Sequence, residues 1–245
     1  MLLRRGQSRS HEIDRQLACI LAGAAGALNT AAFHAVGFFS ANMTGNASAL
    51  SERAASGEWW AGFFYLAIVL VFIFGASVST VLIHAGQRRG VQDIYAITIL
   101  AEAMLMTLLA LFEWLVPSLH RGAVLILGLS FLMGIQNSVA TLISDARVRT
   151  THISGMSTDI GIELGVLFDL LRGKPILGDA SGYRAKLRLH VFTVLSFVAG
   201  GVAGVLIYGK IGNALLFVVA VLLLILATGT IIRARTSAGR SPINQ

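Results

Sequence analysis

The segment SANMTGNASAL (Ser40–Leu50) separates two of the most apolar stretches of the chain. Its eleven residues include a glycine, a threonine, two asparagines and two serines. Backbone amides surrounded by apolar material must find internal partners, so irregular backbone occurs there only where it is buried in protein or lines a wet cavity. The segment therefore predicts a polar break within an otherwise apolar fold.

Composition indicates that this break lies within a fold that spans a membrane. Only 13% of the 245 residues are charged and the mean hydropathy is +0.76, whereas roughly 25% of the residues of soluble domains are charged. About 20 apolar helical residues cross a bilayer. We therefore predict an all-α integral membrane protein with six transmembrane helices at about Leu17–Val36, Trp60–His84, Ile94–Val116, Ala123–Ile143, Leu189–Tyr208 and Ile211–Ile232.

Basic residues indicate the topology. Of the 19 Lys and Arg residues, all but Arg53, Arg121 and Lys210 lie in the N-terminal segment, the second and fourth loops or the C-terminal tail. Because Lys and Arg accumulate in cytoplasmic loops, we expect both termini in the cytoplasm. The net charge of +7 is thereby explained by topology, and we expect no nucleic-acid partner.

The chain contains a weak internal repeat. GALN (Gly26–Asn29) resembles GIQN (Gly134–Asn137), MTGN (Met43–Asn46) resembles ISGM (Ile153–Met156), and GASVSTVLI (Gly75–Ile83) aligns with AGGVAGVLI (Ala199–Ile207). We predict a cytoplasmic segment 1–16, a single membrane domain 17–232 and a cytoplasmic tail 233–245. The membrane domain would hold repeat units at about 17–116 and 123–232, with a cytoplasmic loop at 144–188.

Each repeat unit has three spans, so the second unit must be inverted relative to the first. Inverted 3+3 repeats are common in secondary transporters, whose sites are built from broken helices at the repeat interface. Gly45 and Gly155 would permit tight backbone, while Thr44, Asn46, Ser154 and Thr158 would cap free amides. Helices that start at such breaks favour an anion. The segment 157–171 fits either a re-entrant helix or an amphipathic interfacial helix.

These considerations predict a substrate site with contributions from both units, and two auxiliary acids, Glu102 and Glu163. Glu102 lies within the third span, where a charge costs roughly 2.5–3.5 kcal/mol, and Glu163 follows the second break. The predicted lining comprises Asn29, Asn42, Thr44, Gly45, Asn46, Asn137, Thr151, Ser154, Gly155 and Asp159. Asparagines in spans also serve as links between helices.

Motifs of other functional classes are missing from the sequence. There is no HxxxH, CxxC, P-loop, GxSxG or dinucleotide pattern, so we expect no enzymatic activity, metal or cofactor. The expected partners are the lipid bilayer and a small polar solute, and a homo-oligomer stays an open alternative.

The two breaks also carry a resemblance. SANMTGN (Ser40–Asn46), together with GIQN and the following RTTHISG (Arg149–Gly155), resembles the signatures of the YoaK-like family of bacterial inner-membrane proteins, a family of unknown function. The resemblance extends from about Leu17 to Ile232. It implies a bacterial, multi-pass inner-membrane protein with six spans and implies no substrate.

Together the sequence predicts a small secondary transporter or permease for a polar or anionic solute. Two alternatives stay open at this stage. The protein is a membrane scaffold or sensor if the polar motifs only lock helices together, and a channel if the predicted cavity forms a continuous pore.

Overall fold

The structure is a computed structural model that describes Leu2 and residues 10–116, 121–175 and 179–238. The described residues form an all-α fold without strands. In chain order, the helices are α1 (His11–Val36), α2 (Met43–Ala55), α3 (Trp59–Arg88), α4 (Ile94–Leu115), α5 (Arg121–Ile143), α6 (Ile153–Leu171), α7 (Ala180–Ile211) and α8 (Leu215–Ala238). One 3-10 turn, Gly212–Ala214, joins α7 to α8.

Five helical segments of the described chain are long and apolar enough to cross a membrane. Four of them belong to α1, α3, α4 and α5, and the fifth, Ala180–Arg233, has 54 residues and includes both α7 and α8. The protein is therefore a multi-pass helical membrane protein. The fifth and sixth predicted spans lie together in this last segment.

Two helices begin earlier than the sequence predicts. Helix α1 begins at His11 rather than near Leu17, because the Ser10 hydroxyl accepts a hydrogen bond from Ile13 N at 3.3 Å. Helix α7 begins at Ala180 rather than near Leu189, because Asp179 caps it. The hydroxyl and N–H of Ser181 both donate to Asp179, which lowers the pKa of that carboxyl. Hydropathy detects the apolar part of a helix and misses a polar first turn.

The closest helix contacts occur in matching pairs. Glycines allow α1 to pack directly on α7 and α3 to pack directly on α5. A methyl group on Gly26 would collide with the carbonyl of Phe197, and one on Gly134 would collide with the carbonyl of Phe72. Each helix pair thus joins one helix from the first half of the chain to one from the second.

A second glycine pair fixes the register of the repeat. A methyl group on Gly75 would collide with the Phe131 carbonyl, and one on Gly200 would collide with the Gly23 carbonyl. Gly75 therefore corresponds in its contacts to Gly200, one position later than the sequence alignment that places it on Ala199. The sequence alignment does not reveal this shift of one residue, because small residues match small residues in both registers.

The remaining helices complete the arrangement. Helix α2 packs against α3 as α6 packs against α7, and α4 packs against α8. The predicted loop 144–188 contains all of α6 and the first two turns of α7. Trp60 and Trp114 are exposed at the start of α3 and the end of α4, which is typical of side chains at a membrane interface.

Candidate functional site

A cavity of about 760 Å³, with both polar and apolar side chains in its wall, lies where the first turns of α2 and α6 meet α1, α3, α5 and α7. Both breaks of the chain contribute to its wall. Its lining includes Asn29, Phe39, Ala41, Asn42, Thr44, Gly45, Ser48, Phe72, Asn137, Arg149, Thr151, His152, Ser154 and Phe197. The segments that interrupt the apolar helices, at residues 37–42 and 144–152, run directly into this wall.

Two asparagines hold the irregular segments in place. Asn29, on α1, accepts a hydrogen bond from Ala41 N at 2.8 Å. Asn137, on α5, accepts hydrogen bonds from the hydroxyls of Thr150 and Thr151 at 3.1 and 3.0 Å. Each asparagine fixes the residues just before the next short helix. Both therefore connect helices, and each also contributes to the cavity wall.

The two glycines of the breaks play a different part from the predicted one. Gly45 and Gly155 are the third residues of α2 and α6, and neither has a positive φ angle. The prediction that they permit tight irregular backbone is not met at these two positions, because both lie in regular helix. Irregular backbone precedes them, and the left-handed turn at the end of α1 is made by Gly37, with φ of 77°.

These glycines instead make room for a side chain that folds back over the first turn. Asn42 Oδ1 accepts a hydrogen bond from Gly45 N at 3.0 Å, and a methyl group on Gly45 would collide with the Asn42 amide. A methyl group on Gly155 would collide in the same way with the imidazole of His152. His152 makes no capping hydrogen bond, so the second helix start keeps the shape of the first without its cap.

The predicted site residues divide between two neighbouring cavities and one buried position. Asn46 is buried, and its amide donates to the Phe39 carbonyl at 3.0 Å, so it supports the wall from behind. Gly155 and Asp159 line the second cavity. The main cavity is lined by the remaining predicted residues: Asn29, Asn42, Thr44, Gly45, Asn137, Thr151 and Ser154.

The second cavity has a volume of about 430 Å³ and adjoins the first at Arg149 and His152, which line both. His190 also lines it, and His190 Nδ1 lies 3.1 Å from Glu163 Oε1. Glu163 is thereby attached to α7 and lies outside the main cavity. On the opposite face of α6, Leu164, Phe168 and Leu171 are exposed, in agreement with the amphipathic pattern of the segment 157–171.

Glu102 lies apart from both cavities. Its side chain is fully buried in α4, and the amide of Gln136 on α5 donates to Glu102 Oε1 at 3.3 Å. Gln136 is also fully buried. The two residues form a polar contact inside an otherwise apolar helix interface.

The charge of the main cavity comes from residues that the sequence analysis did not select. Arg149 and His152 are its only charged or titratable lining residues among those described, and no Asp or Glu lines it. A signal was present, since aligning Gly45 with Gly155 places His152 on Asn42 and Arg149 on Phe39. Within the described residues, no group of three His, Cys, Asp or Glu is placed to hold a metal ion.

The fold and this site define a class, a multi-pass helical membrane protein with a cavity between glycine-packed helices. The family follows from the sequence itself. Residues 17–229 match the family model described as Protein of unknown function (DUF1275), and the chain belongs to that family. The match does not carry the YoaK name used for the resemblance. Neither a curated protein nor a solved structure matches the chain.

Proposed function

We propose that the protein is a six-span secondary transporter for a small anionic or polar solute, located in a bacterial inner membrane with both termini in the cytoplasm. The main observation in its favour is the cavity of about 760 Å³, which equivalent residues from both halves of the chain line together. Its proposed partners are the lipid bilayer and the solute.

The length of the last helical segment supports six spans. Ala180–Arg233 has 54 residues, which would measure about 80 Å as one straight helix at 1.5 Å per residue. The hydrocarbon core is only about 30 Å thick. The 3-10 turn at Gly212–Ala214, where Gly212 has a φ of 58°, divides the segment at a natural point into two spans.

The matched contacts support an inverted repeat. The Gly26 contact with Phe197 has its counterpart in the Gly134 contact with Phe72, so α1 and α7 pair as α5 and α3 do. With three spans in each unit, the second unit enters the membrane from the opposite side. The starts of α2 and α6 then approach the cavity from opposite faces, as in other transporters with broken helices.

An anion fits the electrostatics of this cavity. The first turns of α2 and α6 bring backbone N–H groups and partial positive charge to its wall. Arg149 adds a full positive charge, His152 adds one when protonated, and no acid lines the wall among the described residues. A carboxylate or phosphate group would satisfy these donors together.

Single-cysteine labelling tests the proposal directly. In a Cys19→Ser background, Thr44→Cys and Ser154→Cys place thiols in the cavity wall from the two halves. We expect both thiols to react with membrane-impermeant maleimides added from either side, because alternating access exposes one cavity to each side in turn. Ser77→Cys, on the exposed face of α3, is the matched control outside the cavity.

The solute class can be probed by thermal unfolding with acetate, citrate, phosphate and, as a cationic control, arginine methyl ester. A ligand that binds only the folded protein raises its apparent melting temperature. We expect stabilisation by an anion and loss of that stabilisation in Arg149→Gln.

The labelling experiment has two outcomes against the proposal. If neither cysteine is labelled from either side, the proposed function is contradicted. If the cysteines are labelled from one side only under all conditions, alternating access is contradicted.

A further variant separates transport from a scaffold role. Thr44 is exposed to the cavity, so Thr44→Val should leave stability unchanged. A bound anion should slow maleimide labelling of the Ser154→Cys thiol, and Thr44→Val should weaken this protection. Thr107→Val is the matched control, because its hydroxyl donates within α4 to the Ala103 carbonyl at 2.8 Å. If Thr44→Val lowers stability and leaves protection intact, the break is a structural motif.

A further inference from the structure

The contact between Glu102 and Gln136 leaves two acceptors unused. Glu102 Oε2 and Gln136 Oε1 are both buried, and neither has a hydrogen-bond partner among the described residues. A buried acceptor without a hydrogen-bond partner destabilises the folded protein. A proton on Glu102 Oε2 converts that oxygen into a donor for Gln136 Oε1. The acid and the amide then form a closed pair of hydrogen bonds, and both acceptors are satisfied.

The surroundings of Glu102 favour the neutral acid. No ion pair joins Glu102 to any residue that the structure describes. The helices that pack against α4 are α3, α5 and α8, and their titratable residues lie toward the helix ends: Tyr65, His84, Arg88, Arg121, Arg233 and Arg235. Within α4 itself, Glu113 lies three turns further along. A carboxylate without a counter-charge is costly inside a membrane protein.

The position of this pair connects it to the main cavity. Gln136 directly precedes Asn137, which holds Thr150 and Thr151 and with them the start of α6. In the first half of the chain, the residue before Asn29 is Leu28. Leu28 has no side-chain hydrogen-bonding group, so only the second-half tether, Asn137, adjoins a residue that contacts a buried acid, and that acid, Glu102, lies on α4 of the first half.

We propose that Glu102 and Gln136 form a proton-binding site that couples proton movement to the opening and closing of the main cavity. The coupling rests on the proposed transport function. The proton binds Glu102 Oε2 from water on one side and returns to water on the other, and only this O–H bond forms and breaks. The charged form requires water around Glu102, so proton loss favours a conformation in which α4 and α5 separate and Asn137 moves.

Infrared spectroscopy tests proton binding without any solute. We expect purified protein at neutral pH to show a protonated carboxyl band that disappears in Glu102→Gln. The band should persist in Glu113→Gln, the matched variant of the other buried acid in α4. In Gln136→Leu the band should shift to higher wavenumber, because the acid loses its amide partner. This last variant also serves if Glu102→Gln does not fold.

Cysteine labelling tests the coupling. The rate at which Ser154→Cys reacts with an impermeant maleimide is compared between the parent and the Glu102→Gln background at mildly acidic and mildly alkaline pH. The ratio of the two rates cancels the titration of the thiol itself. We expect this ratio to change with pH, because only the background with Glu102 can lose a proton from this site.

The outcomes separate the two proposals. If the infrared spectra of the parent and Glu102→Gln agree, Glu102 holds no proton and the inference is overturned. If the band is present but the labelling ratio is constant, Glu102 is a neutral structural acid, the coupling is overturned and the transport proposal stands. If Ser154→Cys reacts from neither side at any pH, transport and coupling fail together while the proton site is judged by the band alone.

Discussion

The two broken regions of the molecule share a framework and differ in chemistry. In the first region, Asn29 accepts a hydrogen bond from one backbone N–H group, and the Asn42 side chain caps the start of α2. In the second region, Asn137 accepts hydrogen bonds from two threonine hydroxyls. His152 occupies the N-cap position of α6, but its side chain makes no capping hydrogen bond. Arg149 in the second region corresponds to Phe39 in the first.

This difference separates structural from functional positions. The glycines and asparagines occur in both halves, as expected of residues that hold the fold together. Arg149, His152 and Gln136 occur only in the second half, and Glu102, which contacts Gln136, lies on α4 of the first half. The charges that would bind a solute therefore belong to one half of a framework that is otherwise balanced, whereas the proposed proton site joins one residue from each half.

The largest expected effect tests the shared framework. Gly26→Ala and Gly134→Ala each drive a methyl group into the backbone of a facing helix, and we expect each to lower the free energy of unfolding by about 3 kcal/mol. The measurement is unfolding in mixed micelles. Gly161→Ala is the control, because open space surrounds that position. Unequal effects at Gly26 and Gly134 would contradict their equivalence.

The next prediction concerns an ion pair that links the start of α1 to the segment before α6. Asp14 is fully buried and its Oδ2 lies 3.1 Å from Arg147 Nη2. Asp14→Ala leaves the Arg147 charge without that carboxylate, and we expect a loss of about 3 kcal/mol in the same unfolding assay.

The exposed pair of Arg53, in the last turn of α2, and Glu58, directly before α3, provides the comparison for this prediction. Water screens exposed charges, so Arg53→Gln should produce no measurable change. Equal effects of Asp14→Ala and Arg53→Gln would mean that burial does not distinguish the two pairs.

Replacing the two asparagines compares the halves residue by residue. We expect Asn137→Ala to cost about 2 kcal/mol, because two hydroxyls lose their acceptor, and Asn29→Ala to cost about 1 kcal/mol for a single amide. Limited proteolysis between α5 and α6 should increase only in the first variant. Increased cleavage at that site in Asn29→Ala would contradict separate tethers.

The smallest expected effect concerns the two helix starts. Asn42→Ala removes a cap and should destabilise the protein by about 1 kcal/mol, whereas His152→Ala removes no capping bond and should change stability less. His152→Ala should also restore the stability that Gly155→Ala loses. In Gly155→Ala the added methyl group collides with the His152 imidazole, and His152→Ala removes that ring. A double-mutant cycle measures this coupling, and additive effects would contradict the contact.

Much of the fold is encoded in local patterns. Apolar runs predict the long helices, since hydropathy reports the part of a helix that can face lipid. The same signal misplaces the starts of α1 and α7, because Ser10 and Asp179 cap them beyond the apolar region. The register between Gly75 and Gly200 also needed the structure, since a stripe of small residues aligns almost equally well when it is shifted by one.

The candidate site was less accessible from sequence. The paired motifs led to Asn29, Asn137, Thr44 and Ser154 because both copies are polar. In the sequence, Arg149 fits the basic charge of a cytoplasmic loop, and the repeat motif ISGM begins at Ile153, one residue after His152. Gln136 escaped notice because its partner, Glu102, lies 34 positions earlier on another helix, and a single sequence gives no sign of such a contact.

The crossed glycine contacts also bear on biosynthesis. When the first three spans leave the ribosome, the glycine faces of α1 and α3 have no partner, because α7 and α5 have yet to be made. Until α5 and α7 are synthesised, the glycine faces of α1 and α3 contact lipid instead of another helix. The two halves should therefore assemble when they are produced as separate polypeptides in one cell, and each should be degraded when it is produced alone.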